Sequence, residues 1–132
     1  MSEVERFAFP QTDNQLGMAS SLPYLPLTLN YQNRELTVSG LLDTGATINV
    51  MPYQIGLQLG ASWEQQTTPV QLTGNLANLP AYGLIVTATV ARFPPIRLAF
   101  AWTLAENVPL ILGQVNFFLE FDVCFFSFTR RI

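Results

Sequence analysis

The sequence predicts an all-β fold, and two observations support this prediction. Apolar and polar residues alternate in four segments, which is the period of half-buried strands. Helix signals are few and short, so strands must supply most of the core. The chain has 132 residues, of which 49% are hydrophobic, and this is enough to build one domain around one core.

The alternating segments form two pairs, each of which predicts a β-hairpin. Residues 25–32 and 35–40 alternate on either side of a polar turn at 32–34. Residues 84–90 and 96–104 alternate on either side of a proline-containing corner. One face of each segment is apolar and is expected to point into the core. The residues predicted on these inward faces are Leu25, Leu27, Leu29, Tyr31, Leu36, Val38, Gly40, Leu84, Val86, Ala88, Val90, Ile96, Leu98, Phe100, Trp102 and Leu104.

Three shorter segments complete the predicted domain. Pro52 can open a short helix that ends near Leu59, although an irregular loop fits these residues equally well. The apolar run 108–112 predicts a buried strand that ends at Gly113. Residues 115–119 then follow the spacing of a short amphipathic C-terminal helix.

The two ends of the chain differ in character. Residues 1–22 are predicted to form an extended N-terminal arm, and residues 23–132 the domain. The last predicted strand, 121–128, is apolar on both faces. Such a strand is either central in its own sheet or paired with another chain, because an exposed edge of this kind aggregates.

Composition excludes most catalytic machinery. The chain has no His and one Cys, and all six of its basic residues are Arg. Serine or cysteine nucleophiles activated by His, histidine-ligated zinc and lysine Schiff bases are therefore excluded. Catalysis, if present, must use carboxylates, hydroxyls and backbone amides, and we expect neither a metal nor a cofactor.

Charge narrows the range of partners. Charged residues make up 11% of the chain, well below the roughly 25% of average proteins, so we expect a partner to cover part of the surface. The net charge of −3 argues against nucleic acid. No apolar run is long enough for a membrane span, and no leader-like segment opens the sequence. We therefore expect a cytoplasmic protein, with peripheral membrane association left open.

Asp43 is the most informative residue. It directly follows the apolar pair Leu41 and Leu42, and a tight turn directly follows it. Burying a carboxylate without a partner is costly, so such an Asp is seldom kept for packing alone. The nearest basic residues are Arg34 upstream and Arg92 downstream. A partner for Asp43 must therefore come from far along the chain or from another molecule.

Three motifs in order carry a resemblance to a known family. An apolar strand ends in 43–46, Asp-Thr-Gly-Ala; a glycine-containing stretch surrounds Gly74; and Ile111-Leu112-Gly113 ends 70 positions after Asp43. In this order they resemble the single-domain aspartic proteases of the retropepsin type. The resemblance implies a closed β-barrel acid-protease fold with one lobe per chain, active as a two-fold symmetric homodimer.

The resemblance also implies roles for particular residues. One Asp43 from each subunit would hold and activate the water, because this chain has no second Asp-Thr/Ser-Gly motif. Residues 72–78 would be a flap over the substrate, although a functionless surface loop is the alternative. Ala46 and Tyr82 would line the pocket. The implied site residues are Asp43, the loop residues Thr44, Gly45 and Ala46, the flap residues Thr73, Gly74, Asn75 and Leu76, and the supporting residues Leu112 and Gly113.

Two positions depart from the pattern of the viral members. An acidic residue and an Arg brace the site there, whereas this chain has Thr47 and Gln114. Losing both charges together leaves no orphan charge, so we expect neutral hydrogen bonds to brace this site. Two hypotheses follow: a homodimeric aspartic endopeptidase acting on peptides, or a retropepsin-like module without turnover that serves dimerisation or peptide binding.

Overall fold

The computed structural model describes residues 11–13, 19–21 and 23–114, and β-strands are its main secondary structure. Two 3₁₀ turns, Trp63–Gln65 and Gly74–Leu76, accompany the strands and the helix. In chain order the elements are β1 (Gln11–Asp13), β2 (Ala19–Ser21), β3 (Tyr24–Tyr31), β4 (Arg34–Leu42), β5 (Asn49–Met51), α1 (Tyr53–Gln58), β6 (Ala81–Thr89), β7 (Ile96–Thr103) and β8 (Leu110–Leu112).

Six of the strands close into a barrel in the order β3-β4-β8-β5-β7-β6, with β6 returning to β3. The antiparallel hairpins β3–β4 and β6–β7 are its largest parts. β8 runs parallel to β4, and β5 runs parallel to β7 and antiparallel to β8. The predicted all-β closed barrel is thus confirmed for the described residues.

The first hairpin places its side chains as the alternation predicts. Leu25, Leu27 and Leu29 of β3 are buried in the core. Gln32 and Asn33 form the turn, and both have positive φ angles, 48° and 69°. Two consecutive residues of this kind give a turn whose twist matches that of the paired strands.

The second hairpin follows the prediction up to the end of β7. Leu98, Phe100 and Trp102 are buried. Their β6 partners Val86 and Leu84 are buried with them, and Tyr82, the partner of Trp102, is partly buried. The prediction that Leu104 shares this inward face is wrong, since Leu104 lies beyond β7 and is 39% exposed. The hydroxyl of Thr103 accepts a hydrogen bond from the Ala105 amide (3.4 Å), and the chain leaves the strand there.

The segment after Pro52 forms a helix and not an irregular loop. α1 runs from Tyr53 to Gln58, and the chain turns at Gly60, whose φ is +84°. Gly56 faces the indole ring of Trp102, and a β-carbon there would lie 2.1 Å from that ring. The small residue lets α1 pack directly on the barrel, which explains a glycine inside so short a helix.

The ends of the chain contribute less to the described structure. Within the N-terminal segment, β1 and β2 pair as a two-stranded antiparallel sheet. The predicted helix over 115–119 and the predicted last strand over 121–128 lie outside the described residues. In the part of the chain that the structure describes, no helix has the length and hydropathy needed to cross a membrane.

Candidate active site

Asp43 lies where β4 leaves the barrel. Leu42, the residue before it, pairs in register with Leu112 of the parallel strand β8. The Asp43 amide donates a hydrogen bond to the Leu112 carbonyl (3.1 Å), which extends the ladder by one step. The Asp43 side chain is only partly buried. β8 therefore fixes the backbone of Asp43 while its carboxylate stays accessible.

The turn after Asp43 holds the carboxylate in place. Asp43 Oδ1 accepts a hydrogen bond from the Gly45 amide (2.9 Å), and the Asp43 carbonyl accepts one from the Ala46 amide (3.1 Å). A β-carbon at Gly45 would lie 3.3 Å from Oδ1, so glycine leaves room for this bond. Thr44 and Gly45 are exposed. The outer surface of the turn is therefore exposed in the single chain.

Neutral hydrogen bonds brace the turn from the side of β8. The Gln114 amide donates to the Ala46 carbonyl (3.0 Å), and the Gln114 side-chain amide donates to the Thr44 carbonyl. Gly113 packs so closely that a β-carbon would lie 2.5 Å from the Ile48 carbonyl oxygen. The expectation of a neutral brace is confirmed at Gln114. Thr47 is exposed at the outer end of this turn.

Asn49 is a further bracing residue, which the sequence pattern does not predict. It is fully buried at the start of β5. Its Oδ1 accepts a hydrogen bond from the Gly113 amide (2.8 Å), and its Nδ2 donates to the Ala99 carbonyl (3.0 Å). One amide side chain thus ties β8 to β7 beneath the Asp43 turn. The available signal was a polar residue inside the apolar run 48–51.

We expect Asn49→Ala to destabilise the protein by about 2–3 kcal/mol, because it removes both bonds and leaves the buried Gly113 amide and Ala99 carbonyl without this partner. Urea unfolding measures the change. Asn107→Ala, the same substitution at an exposed loop position, is the matched control. Equal unfolding midpoints and slopes for the two variants would show that the Asn49 bonds add no stability.

The segment before β6 forms a hairpin-like arm. The Val70 amide donates to the Ala81 carbonyl (2.9 Å), and the Gly83 amide donates to the Thr68 carbonyl (2.8 Å). Residues 68–70 therefore pair with the start of β6, and we call them the 68–70 arm. Residues 71–80 form the loop between this arm and β6. Gln71 closes this loop, because its side-chain amide donates to the carbonyls of Leu72 and Ala77, both at 3.0 Å.

The 71–80 loop packs on the strands next to the Asp43 turn. Leu72 is 3% exposed and lies in a small apolar cluster with Val50 of β5, and Leu76 packs against that cluster. Thr73, Gly74 and Asn75 are exposed at the tip of the loop. The small apolar cluster is separate from the main core of the barrel, and we call it the second cluster. Its members are Ile48, Val50, Val70, Leu72, Leu76, Ala81, Ala101 and Ile111.

Comparison with solved structures identifies the fold. The chain is similar to the EIAV protease complexed with the inhibitor HBY-793, with a TM-score of 0.52 and 21% identity over 71% of this chain and 83% of that chain. It is also similar to a retropepsin-like aspartic protease from Rickettsia conorii, with a TM-score of 0.53 and 16% identity over 84% of each chain. The chain has the retropepsin-like aspartic protease fold.

Comparison of the sequence with known families and curated proteins does not reveal this relationship. No protein-family profile matches the chain, and no curated protein matches it. In the retropepsin-like fold of this chain, Leu112 accepts a hydrogen bond from the Asp43 amide, and Gly113 packs closely on the Ala46 end of the motif 43–46. The predicted flap residues 73–76 lie on the neighbouring loop.

An aromatic cluster supports the base of the 68–70 arm in this retropepsin-like barrel. The rings of Trp63 and Tyr82 meet edge to face at a centroid distance of 4.9 Å, and those of Trp63 and Trp102 meet in the same way at 5.1 Å. Tyr53 stacks on Trp102 at 5.8 Å, and its carbonyl accepts a hydrogen bond from the Trp102 indole (3.1 Å). The Tyr82 ring, predicted to line the pocket, thus packs on Trp63.

Proposed function

We propose that the chain is an aspartic endopeptidase that acts as a homodimer, with one Asp43 carboxyl from each subunit. The observation that carries this proposal is the Asp43 turn on a retropepsin-like barrel. Its carboxylate is held by the Gly45 amide at 2.9 Å and is partly accessible, and the outer residues of the turn are exposed. A braced, accessible carboxylate of this kind can be brought against a second one.

The chemistry needs two carboxyls that share one proton. The ionised carboxyl takes a proton from a water molecule, whose oxygen attacks the carbon of the scissile amide. The protonated carboxyl supplies a proton for the leaving nitrogen as the C–N bond breaks. Aspartic proteases are the general example of this arrangement, because two carboxyls about 3 Å apart cannot both ionise.

The second carboxyl is proposed to come from a second copy of the chain. Among residues 23–114 the other carboxylates are Glu35, Glu64 and Glu106. Glu35 lies at the far end of β4 from Asp43, and Glu64 and Glu106 accept hydrogen bonds from Ser62 and Gln54. A two-fold axis beside the turn would instead pair Asp43 with its own copy, through an interface made of identical surfaces.

The substrate is proposed to be an extended peptide held beneath the 71–80 loop. The second cluster is apolar and lies between that loop and the strands that flank the Asp43 turn. Apolar side chains next to the scissile bond would extend this cluster, which favours such residues there. In the dimer, the Thr44 side chains of the two subunits would face each other.

One observation favours the alternative of a module that binds peptides or dimerises without turnover. The charged brace of the viral members is replaced by the neutral contacts of Gln114. A less rigid turn would still bind peptide, but it would align the carboxyl pair poorly, and alignment within a fraction of an ångström governs the rate.

The proposal is tested by measuring cleavage of a peptide library at a series of decreasing concentrations of the purified protein. We expect activity per chain to fall as the protein concentration drops below the dissociation constant of the dimer, because a monomer has only half of the site. Activity should follow a bell-shaped dependence on pH, because the pair needs one proton and fails with none or two.

Sedimentation at the same concentrations gives the dimer fraction for comparison. Activity that stays constant per chain while the protein is monomeric would refute the shared site. A dimer that cleaves no peptide at any pH would support the inactive module instead.

A further inference from the structure

The stretch of chain that builds the site is almost free of charge. Between Glu35 and Arg92 only Asp43 and Glu64 carry a charged side chain. This stretch includes the Asp43 turn, β5, the 68–70 arm and the 71–80 loop. An average chain carries about one charged residue in four, so this stretch is unusual even for a protein of low charge.

The described residues around the site are neutral, apart from Asp43 itself. The tip of the 71–80 loop has hydroxyl and amide side chains at Thr73 and Asn75, and the second cluster is apolar throughout. On the β8 side the exposed residue is Gln114, which uses its amide to hold the Thr44 carbonyl. The remaining charge, Glu64, is in the 3₁₀ turn after Ser62 and outside the second cluster.

A peptide that enters such a site must leave part of its hydration behind. An uncharged side chain exchanges water for apolar contacts or for hydrogen bonds with neutral groups at little cost. Apart from Asp43, which the proposed mechanism engages with the water, these residues offer no opposite charge to a Lys, Arg, Asp or Glu side chain that loses its hydration, and desolvating a charge without a partner is costly. The site therefore discriminates against charge of either sign.

We infer that the protein acts on uncharged peptide segments, in which the residues covered by the 71–80 loop carry no Lys, Arg, Asp or Glu. This inference rests on the proposed function and goes beyond it by naming the substrate class. The preference extends past the pair of residues at the scissile bond to every peptide position that contacts the neutral residues of the site.

Matched peptides test the inference directly. A cleaved parent peptide with Gln at positions flanking the scissile pair is compared with peptides in which one Gln becomes Glu or Lys. Gln and Glu have nearly the same shape, so the comparison isolates charge. We expect each charged peptide to lose about tenfold or more in kcat/KM. Equal kcat/KM for Gln, Glu and Lys would overturn the inference while leaving the proposed function in place.

A matched pair of variants places the selectivity at the 71–80 loop. Asn75→Asp adds one negative charge at the exposed tip of this loop, and Asn33→Asp adds the same charge in the β3–β4 turn, at the far end of β4 from Asp43. We expect Asn75→Asp to improve cleavage of the Lys peptide relative to the Glu peptide several-fold, and Asn33→Asp to leave that ratio unchanged. The same ratio in both variants would contradict the role of the loop.

Binding separates this inference from the proposed function. The variant Asp43→Asn, which we expect to bind without cutting, is titrated with the labelled Gln, Glu and Lys peptides. Tighter binding of the Gln peptide supports the inference even if the wild type cleaves nothing, a result that would refute the endopeptidase alone. Equal binding of the three peptides, or no binding by a folded protein, would overturn the inference.

Discussion

Replacing Asp43 by Asn should abolish peptide hydrolysis and leave the fold intact. The amide oxygen of Asn can still accept the hydrogen bond from the Gly45 amide, so the turn keeps its main internal contact. The amide can neither take a proton from water nor give one to the leaving nitrogen. We expect kcat to fall by a factor on the order of 10²–10⁴ or more.

Glu64→Gln is the matched control, because it makes the same carboxylate-to-amide change at an exposed residue outside the site. It should cleave peptides at the wild-type rate. Thermal unfolding of both variants checks that they fold. Activity in folded Asp43→Asn equal to that of Glu64→Gln would end the proposal that Asp43 is catalytic.

Gly113→Ala should have the largest effect on stability of any substitution near the site. A β-carbon at this position would lie 2.5 Å from the Ile48 carbonyl oxygen and 3.0 Å from that of Ala46. Both oxygens belong to the backbone, so no side-chain rotation relieves the overlap, and β8 must separate from the Asp43 turn. We expect the free energy of unfolding to fall by about 3 kcal/mol or more, with loss of peptide cleavage.

Gly83→Ala makes the same change where space is available. Its added carbon would approach Thr68 and Val70 side chains no closer than 3.6 Å, an ordinary contact distance. Denaturant unfolding should place this variant within about 0.5 kcal/mol of the wild type. If Gly113→Ala is as stable as Gly83→Ala, the close packing of β8 on the turn has no energetic importance.

Local patterns were sufficient to predict the large hairpins. In β3–β4 and β6–β7 one face meets the core and the other faces outward, so burial imposes a period of two on the sequence. The error at Leu104 has the same origin: the apolar alternation continues for one residue after the pairing has ended at Thr103.

Elements that depend on distant contacts could not be predicted. β5 has three residues, Asn49, Val50 and Met51, all buried, so its faces do not differ in polarity. Its pairing with β7 and β8 is fixed by strands about fifty residues and more along the chain. The role of Asn49 depends on Gly113, which is 64 positions away, and neither residue reveals that bond locally.

The site was predictable to the extent that it is local. The Asp43 turn closes on itself within four residues, and its motif is contiguous in the sequence. The neutral brace could be predicted because Thr47 and Gln114 replace both charged residues of the viral pattern, which leaves no unpaired charge. The shape of the 71–80 loop did not follow, because its closure by Gln71 and its seating through Leu72 depend on tertiary contacts.

The aromatic cluster at the base of the 68–70 arm gives the protein a built-in optical reporter. Trp63 and Trp102 are the two tryptophans of the chain, and both belong to that cluster. Their near-ultraviolet emission therefore originates from one location, with Tyr82 in contact as an energy donor. Spectral changes in the unlabelled protein thus register events at the root of the arm, without contributions from tryptophans elsewhere.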